Sequence, residues 1–177
     1  MKRLIFSMMT SVIGFYWVLG CSVGTKSWGD KPYIVPIGKL EWKQCTEGQA
    51  EDSVCTGDSK EFGMEQAKAA CESLNSGSGY GGRKGWRLPT IEEQMGLVKC
   101  TKGFEKNKKE GCKPGSEPPV LDKKLFPNTP SLGSYWSSSV RQQDGIALHG
   151  FISYEDGHTS ESGSASDGFV RCVRTVQ

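Results

Sequence analysis

Gly85-Trp86-Arg87-Leu88-Pro89-Thr90-Ile91-Glu92-Glu93 is the stretch on which the fold of this chain turns. Pro89 disfavours helical geometry at Leu88, yet its own fixed backbone angle suits a chain about to enter a helix. Thr90 has the side chain of an N-cap. Glu93, three residues on, is placed to reach back to the Thr90 N–H, so the two form a capping box. Ile91, Met95 and Val98 then share one face at helical spacing, which predicts a short helix with an apolar side. On the other side of the proline, Trp86 is a large ring with a single N–H to satisfy, suited to anchoring a core. Arg87 is placed to pair with a carboxylate beneath the helix.

Upstream, Asp58 and Glu61 repeat the capping-box spacing, and Met64, Ala67, Cys71 and Leu74 recur every three or four residues. An earlier helix is therefore predicted from Asp58 to the breaker Asn75-Ser76-Gly77. The glycine-rich run Gly77-Ser78-Gly79-Tyr80-Gly81-Gly82 follows a helix rather than a strand, so it reads as a flexible loop and not as a phosphate cradle. Tyr33 to Trp42 alternates loosely and is expected to hold a first strand. Residues 99–134 are rich in Lys, Pro and Gly and read as long loops. Strands are expected near Tyr135–Ser139, Ile146–Tyr154 and Gly168–Val173, separated by Asp-Gly and Ser-Gly turns. Trp136 is assigned to the core beside Trp86. Two helices among short strands and long loops make an α+β domain.

The N-terminus predicts export. Lys2 and Arg3 precede a run from Leu4 to Gly20 without a charge. As a helix this run spans about 25 Å, short of the roughly 30 Å of a bilayer core. It ends in Val18-Leu19-Gly20-Cys21, a small residue followed by cysteine, which resembles a lipobox with Val18 and Leu19 at the places usually held by Leu and a small residue. Residues 1–20 are thus expected to be a lipoprotein signal peptide, Cys21 the lipidated N-terminus, residues 21–37 a linker and residues 38–177 the domain. Ser22 after the cysteine, in place of Asp, points to outer-membrane sorting. The formal net charge of +2 resides in the leader, since Lys2 and Arg3 are its only charges. The remaining chain is neutral and has no basic field to recruit nucleic acid.

Of the seven cysteines, Cys45, Cys55, Cys71, Cys100, Cys112 and Cys172 remain after Cys21. An even set in an exported chain reads as disulfides, with the connectivity open. The preferred pairing is Cys45–Cys55, Cys100–Cys112 and Cys71–Cys172. The first two would each contribute about 3 kcal/mol and the long third loop about 5 kcal/mol in the chain-entropy account. No two cysteines have the close spacing of a zinc pair, so neither a metal nor another cofactor is expected.

Four ordered blocks carry a resemblance: Gly85 to Thr90 with Glu92-Glu93, Phe126-Pro127-Asn128, Tyr135-Trp136-Ser137-Ser138-Ser139, and Phe169-Val170-Arg171-Cys172-Val173-Arg174. Together they are similar to the Lcl C-terminal domain family of bacterial surface proteins and lipoproteins, over roughly residues 38–175. The resemblance implies a C-type-lectin-like fold, with two helices, a small twisted and mainly antiparallel sheet, and long loops stapled by disulfides. It also supports Cys71–Cys172, because such domains tie the first helix to the last strand. Gln94 stands where the family has an apolar residue, and Met95 is expected to take over that contact. Arg171 and Arg174 are expected to form ion pairs on the last strand.

No enzymatic constellation emerges. His149 and His158 lack a nucleophile partner, and Ser137-Ser138-Ser139 lacks the G-x-S-x-G frame. A formylglycine-generating activity, known on a related fold, would need spare thiols. The Glu-Pro-Asn and Trp-Asn-Asp signatures of calcium-dependent lectins are replaced by Glu117-Pro118-Pro119 and Trp136-Ser137-Ser138. Asp144, Asp156, Asp167 and His158 could gather around a metal only if their turns met, and Asp-Gly is first a turn signal. Binding remains. Lys99, Lys102, Lys106, Lys108, Lys109 and Lys113 face only Glu105 and Glu110 as neighbouring acids. This loop could meet sulfated glycans or other polyanions, and the family's naming adhesin is associated with sulfated polysaccharide. The alternative is a structural or assembly lipoprotein that meets another envelope protein through an apolar patch.

Overall fold

Alternation along two neighbouring strands organises the domain. A computed structural model describes residues 33–163 and 166–176, so the expected signal peptide, Cys21 and most of the expected linker lie outside the described residues. β4 (Ser134–Gln143), β5 (Ile146–Ser153) and β6 (Thr159–Ser162) form an antiparallel sheet in that order. Successive strand residues point to opposite faces. Tyr135 and Ile152, paired across β4 and β5, therefore enter one core with Trp42, Val98, Val120, Phe126, Tyr154 and Val173. Their neighbours Trp136 and Phe151, also paired, enter a second core with Met64, Ala67, Cys71, Trp86, Leu88 and Val170.

The second core is built on aromatic contacts. Trp136 stacks on Phe151 with ring centroids 3.9 Å apart and donates its indole N–H to Phe62 O at 2.6 Å. Trp86 meets Tyr80 edge-on at 5.4 Å and donates to Arg83 O at 2.9 Å. Both tryptophans are buried and each indole N–H has its acceptor, so their apolar area is gained without an orphaned donor.

A smaller sheet joins β1 (Ile34–Ile37), β2 (Leu40–Lys43) and β8 (Val173–Thr175), and a two-residue ladder joins β3 (Phe62–Gly63) to β7 (Asp167–Gly168). The expected single first strand is a hairpin, because Gly38 at φ +60° lets the chain reverse between Ile37 and Leu40. β1 thus precedes residue 38, and the folded unit extends into the segment expected to be linker. β6 was not expected at all.

The first helix, α1 (Met64–Ser73), buries Met64, Ala67 and Cys71 as the periodicity predicts, but it begins at Gly63 rather than at Asp58. Phe62 and Gly63 pair with Gly168 and Asp167, and this ladder occupies the residues through which an Asp58-capped helix would run. The glycine-rich loop after α1 is pinned rather than flexible. Tyr80 is buried within it, and its hydroxyl donates to Glu51. The same Glu51 and Glu47, the latter at 3.1 Å, hold the buried Lys43 ammonium. Desolvation pushes the Glu47 carboxyl above its usual range, against the pull of Lys43.

The three cystines are Cys45–Cys55, Cys71–Cys172 and Cys100–Cys112, the preferred pairs, of which the family resemblance supported Cys71–Cys172. The second spans 101 residues and ties α1 to the segment just before β8. Among the described residues no helix is long and apolar enough to cross a membrane.

Candidate functional site

The helix after Pro89 sets one wall of the site. α2 (Ile91–Met95) opens with the expected capping box: Glu93 N–H donates to Thr90 Oγ1 at 3.2 Å, and Thr90 N–H to Glu93 Oε2 at 2.8 Å. Arg87 closes a fork on the same carboxylate at 2.8 and 2.7 Å, which holds Glu93 below the ordinary carboxylate range. The Ile91 N–H donates to Ser139 Oγ at 3.0 Å, fastening the helix start to β4. Met95 packs, partly buried, against the first core as expected, but Gln94 is itself buried. Its amide N–H donates to Trp136 O at 2.6 Å and its oxygen accepts from the Tyr154 hydroxyl at 3.2 Å, so a polar side chain fills an apolar position at no cost in unmet hydrogen bonds.

The opposite wall is the lysine loop, closed by Cys100–Cys112. Its last turn, Lys108–Glu110, is 3₁₀ and is capped by Asn107, whose side chain accepts from Lys109 N–H at 3.0 Å. The backbone then docks on the turn between β5 and β6. Cys112 N–H donates to Asp156 O at 2.6 Å, and the Thr159 hydroxyl to Lys109 O at 3.3 Å. Gly111, at φ +83°, lies so close that a Cβ would stand 2.5 Å from Asp156 O and 2.8 Å from His158 N. Only glycine lets the loop seat there.

Between these walls a groove of about 590 Å³ opens over β4, β5 and β6. Leu148 and Gly150 lie on its floor, and its rim carries Glu92, Lys109, Glu110, Arg141, His158 and Glu161. Arg141 reaches across β5 to Glu161, with Nε and Nη2 donating to the same Oε2 at 2.8 and 2.5 Å. That hydrogen bond, with a smaller contribution from the charge of Lys109, holds Glu161 below the usual carboxylate range.

Of the lysines singled out from sequence, only Lys109 lines the groove. Lys102, Lys106, Lys108 and Lys113 are exposed along the loop outside it, and Lys108 lies over the Phe104 ring at 5.3 Å. Lys99 is engaged by Asp122 at 2.8 Å. Arg174 pairs with Glu41 as expected. Arg171 forms no ion pair among the described residues: it is buried, donates to Gln44 O and to the Thr46 and Thr129 hydroxyls, and lies 4.7 Å over the Phe126 ring. Asp156 caps the backbone of His158, Asp144 sits in the β4–β5 turn, and no metal-binding group of three such side chains occurs among the described residues. Sequence reasoning missed Arg141 and Glu161. They are 20 residues apart and meet only through the register of three strands.

A family model for the Lcl C-terminal domain matches residues 37–174. The chain belongs to that family. No curated protein and no solved structure matches it. As an Lcl C-terminal domain it is a bacterial surface-protein module, and its three cystines are those of a protein exported to an oxidising compartment. In this Lcl C-terminal domain the blocks that carry the resemblance, from Trp86 to Arg171, point mostly into the cores. The lysine loop and most of the groove are built from the residues between them, and Glu92 and Ser139 of the blocks also line the groove.

Proposed function

We propose that this chain is a lipoprotein, anchored to the envelope through an acylated Cys21 and sorted to the outer membrane, whose C-type-lectin-like domain binds sulfated glycans or similar polyanions. The domain acts by binding rather than by catalysis. One observation carries the reading. Lys102, Lys106, Lys108, Lys109 and Lys113 are exposed on a cystine-closed loop, and none has a carboxylate at ion-pair distance among the described residues. Unpaired ammonium groups held close together on a fixed frame produce a local positive potential that attracts polyanions and weakens with salt. The lectin-like fold draws support from the Cys71–Cys172 link between α1 and the last strand segment.

The test is a salt titration of the full-length chain, in detergent, on immobilised heparin. Strong binding at low salt that falls steeply as salt rises is expected. Absence of binding at low salt would favour the assembly reading, which draws on the exposed Leu132 and Ile146, 72% and 60% accessible. The anchor is tested separately by mass: the mature protein should begin at an acylated Cys21, and Cys21→Ser should remain unprocessed or leave the membrane fraction. Unchanged membrane partitioning of that variant would remove the lipoprotein claim.

A further inference from the structure

Two ion pairs on this surface have different surroundings. In Arg87–Glu93 the carboxylate also accepts the Thr90 N–H and completes a helix cap, so the pair is fixed by the fold. In Arg141–Glu161 neither side chain has another hydrogen-bond partner among the described residues. The two side chains remain 52% and 41% accessible, on the rim of the groove. A solvated pair of this kind contributes little to stability, so exchanging one partner for an external ion costs little.

The third group beside this pair is Lys109. It is placed by backbone contacts, through Thr159 to its carbonyl and through the neighbouring Gly111 and Cys112 on Asp156, not by any bond of its own ammonium. Arg141 and Lys109 thus line one groove with Glu161, whose carboxyl feels the charge of both, while Glu92 and Glu110 also line it and make no ion pair among the described residues. The groove volume of about 590 Å³ lies in the range of small-ligand sites, about 300–1,000 Å³.

We propose that Glu161 is a built-in counter-anion that holds, in the unliganded protein, the place between Arg141 and Lys109 where a sulfate or carboxylate of a glycan binds. This deepens the anionic-glycan reading and rests on it. The lysine loop outside the groove gathers the chain electrostatically, while the groove seats one anionic sugar unit. Arg141 offers the planar fork that matches a sulfate or carboxylate, and Lys109 a point charge. Glu161 makes the site selective. A ligand gains there only if its anion replaces the carboxylate, so neutral sugars and weakly charged polymers find the fork already occupied.

The inference predicts a gain of affinity from removing a residue. Glu161→Gln should bind a heparin hexasaccharide at low salt about two- to fivefold more tightly than the parent, the scale on which an exposed ion pair competes. Glu72→Gln makes the same change in net charge on the exposed end of α1 and should stay near the parent. Arg141→Gln should weaken binding, and Glu161→Gln added to it should restore none of the gain. If Glu161→Gln merely matches Glu72→Gln while Lys106→Gln with Lys108→Gln still weakens binding, the counter-anion role is wrong and the loop reading stands. If the parent and Glu161→Gln both fail to bind at low salt, the two fall together.

Discussion

Residues 85–95 and residues 100–113 both lie against the β4–β5–β6 sheet, and they are held there by opposite means. The first segment is fixed by side chains: Trp86, Leu88 and Gln94 are buried, and the Arg87–Glu93 fork closes the helix start. The second is fixed by a cystine, by the Cys112 and Lys109 backbones, and by a glycine that no side chain could replace. Where side chains carry the fold they are not available for anything else. Where the backbone carries it, the side chains are free to serve a ligand, and five of those in the second segment are lysines.

The largest effect should come from emptying the first segment. Trp86→Ala removes a buried ring, its contact with Tyr80 and its hydrogen bond to Arg83 O, and should destabilise the domain by about 3–5 kcal/mol. Denaturant unfolding measures it. A variant of nearly parental stability that has lost ligand binding would move Trp86 from the core to the site and break the contrast between the segments.

The second segment is vulnerable only through its backbone. Gly111 adopts φ +83° and ψ −152°, a region essentially closed to other residues, and abuts Asp156 O and His158 N. Gly111→Ala should cost roughly 1–3 kcal/mol from the conformation alone. It should also lift the loop from the β5–β6 turn and displace Lys109 from the groove. Hydrogen exchange should then show faster exchange at Cys112 N–H, which donates to Asp156 O. Unchanged protection there would mean that the loop is seated by something other than this contact.

The same contrast decides what was legible in the sequence. Thr90 and Glu93 were readable because a capping box is local chemistry, three residues apart, and nothing distant competes for those groups. Asp58 and Glu61 have the identical spacing and failed, since the pairing of Phe62 with Gly168 is set by a partner far along the chain. β6 escaped because Thr159-Ser160-Glu161-Ser162 has no apolar alternation; it is a polar edge recruited by β5. The lysine surplus could be counted from the sequence. The groove could not, because Arg141, Glu161 and Lys109 come together only when sheet register and loop docking are known.

The smallest effect on stability should accompany a large one on binding. Lys106, Lys108 and Lys109 are exposed, make no ion pair among the described residues, and contribute to folding at most through the Lys108 ammonium over the Phe104 ring. Replacing all three with Gln should leave thermal unfolding nearly unchanged, since exposed substitutions usually stay within about 0.5 kcal/mol each. The frame of the loop is untouched: Cys100–Cys112, the Thr159 bond to the carbonyl at position 109 and the Gly111 contact do not depend on the ammonium groups. Binding to heparin should weaken, and its dependence on salt should flatten, because fewer charges meet the polymer. Melting and binding measured on one preparation separate the two effects directly. A triple variant that melts with the parent and binds equally across the salt series would show that the loop is only solvated surface. One that melts far earlier would show that its side chains, and not only its backbone, hold the segment in place.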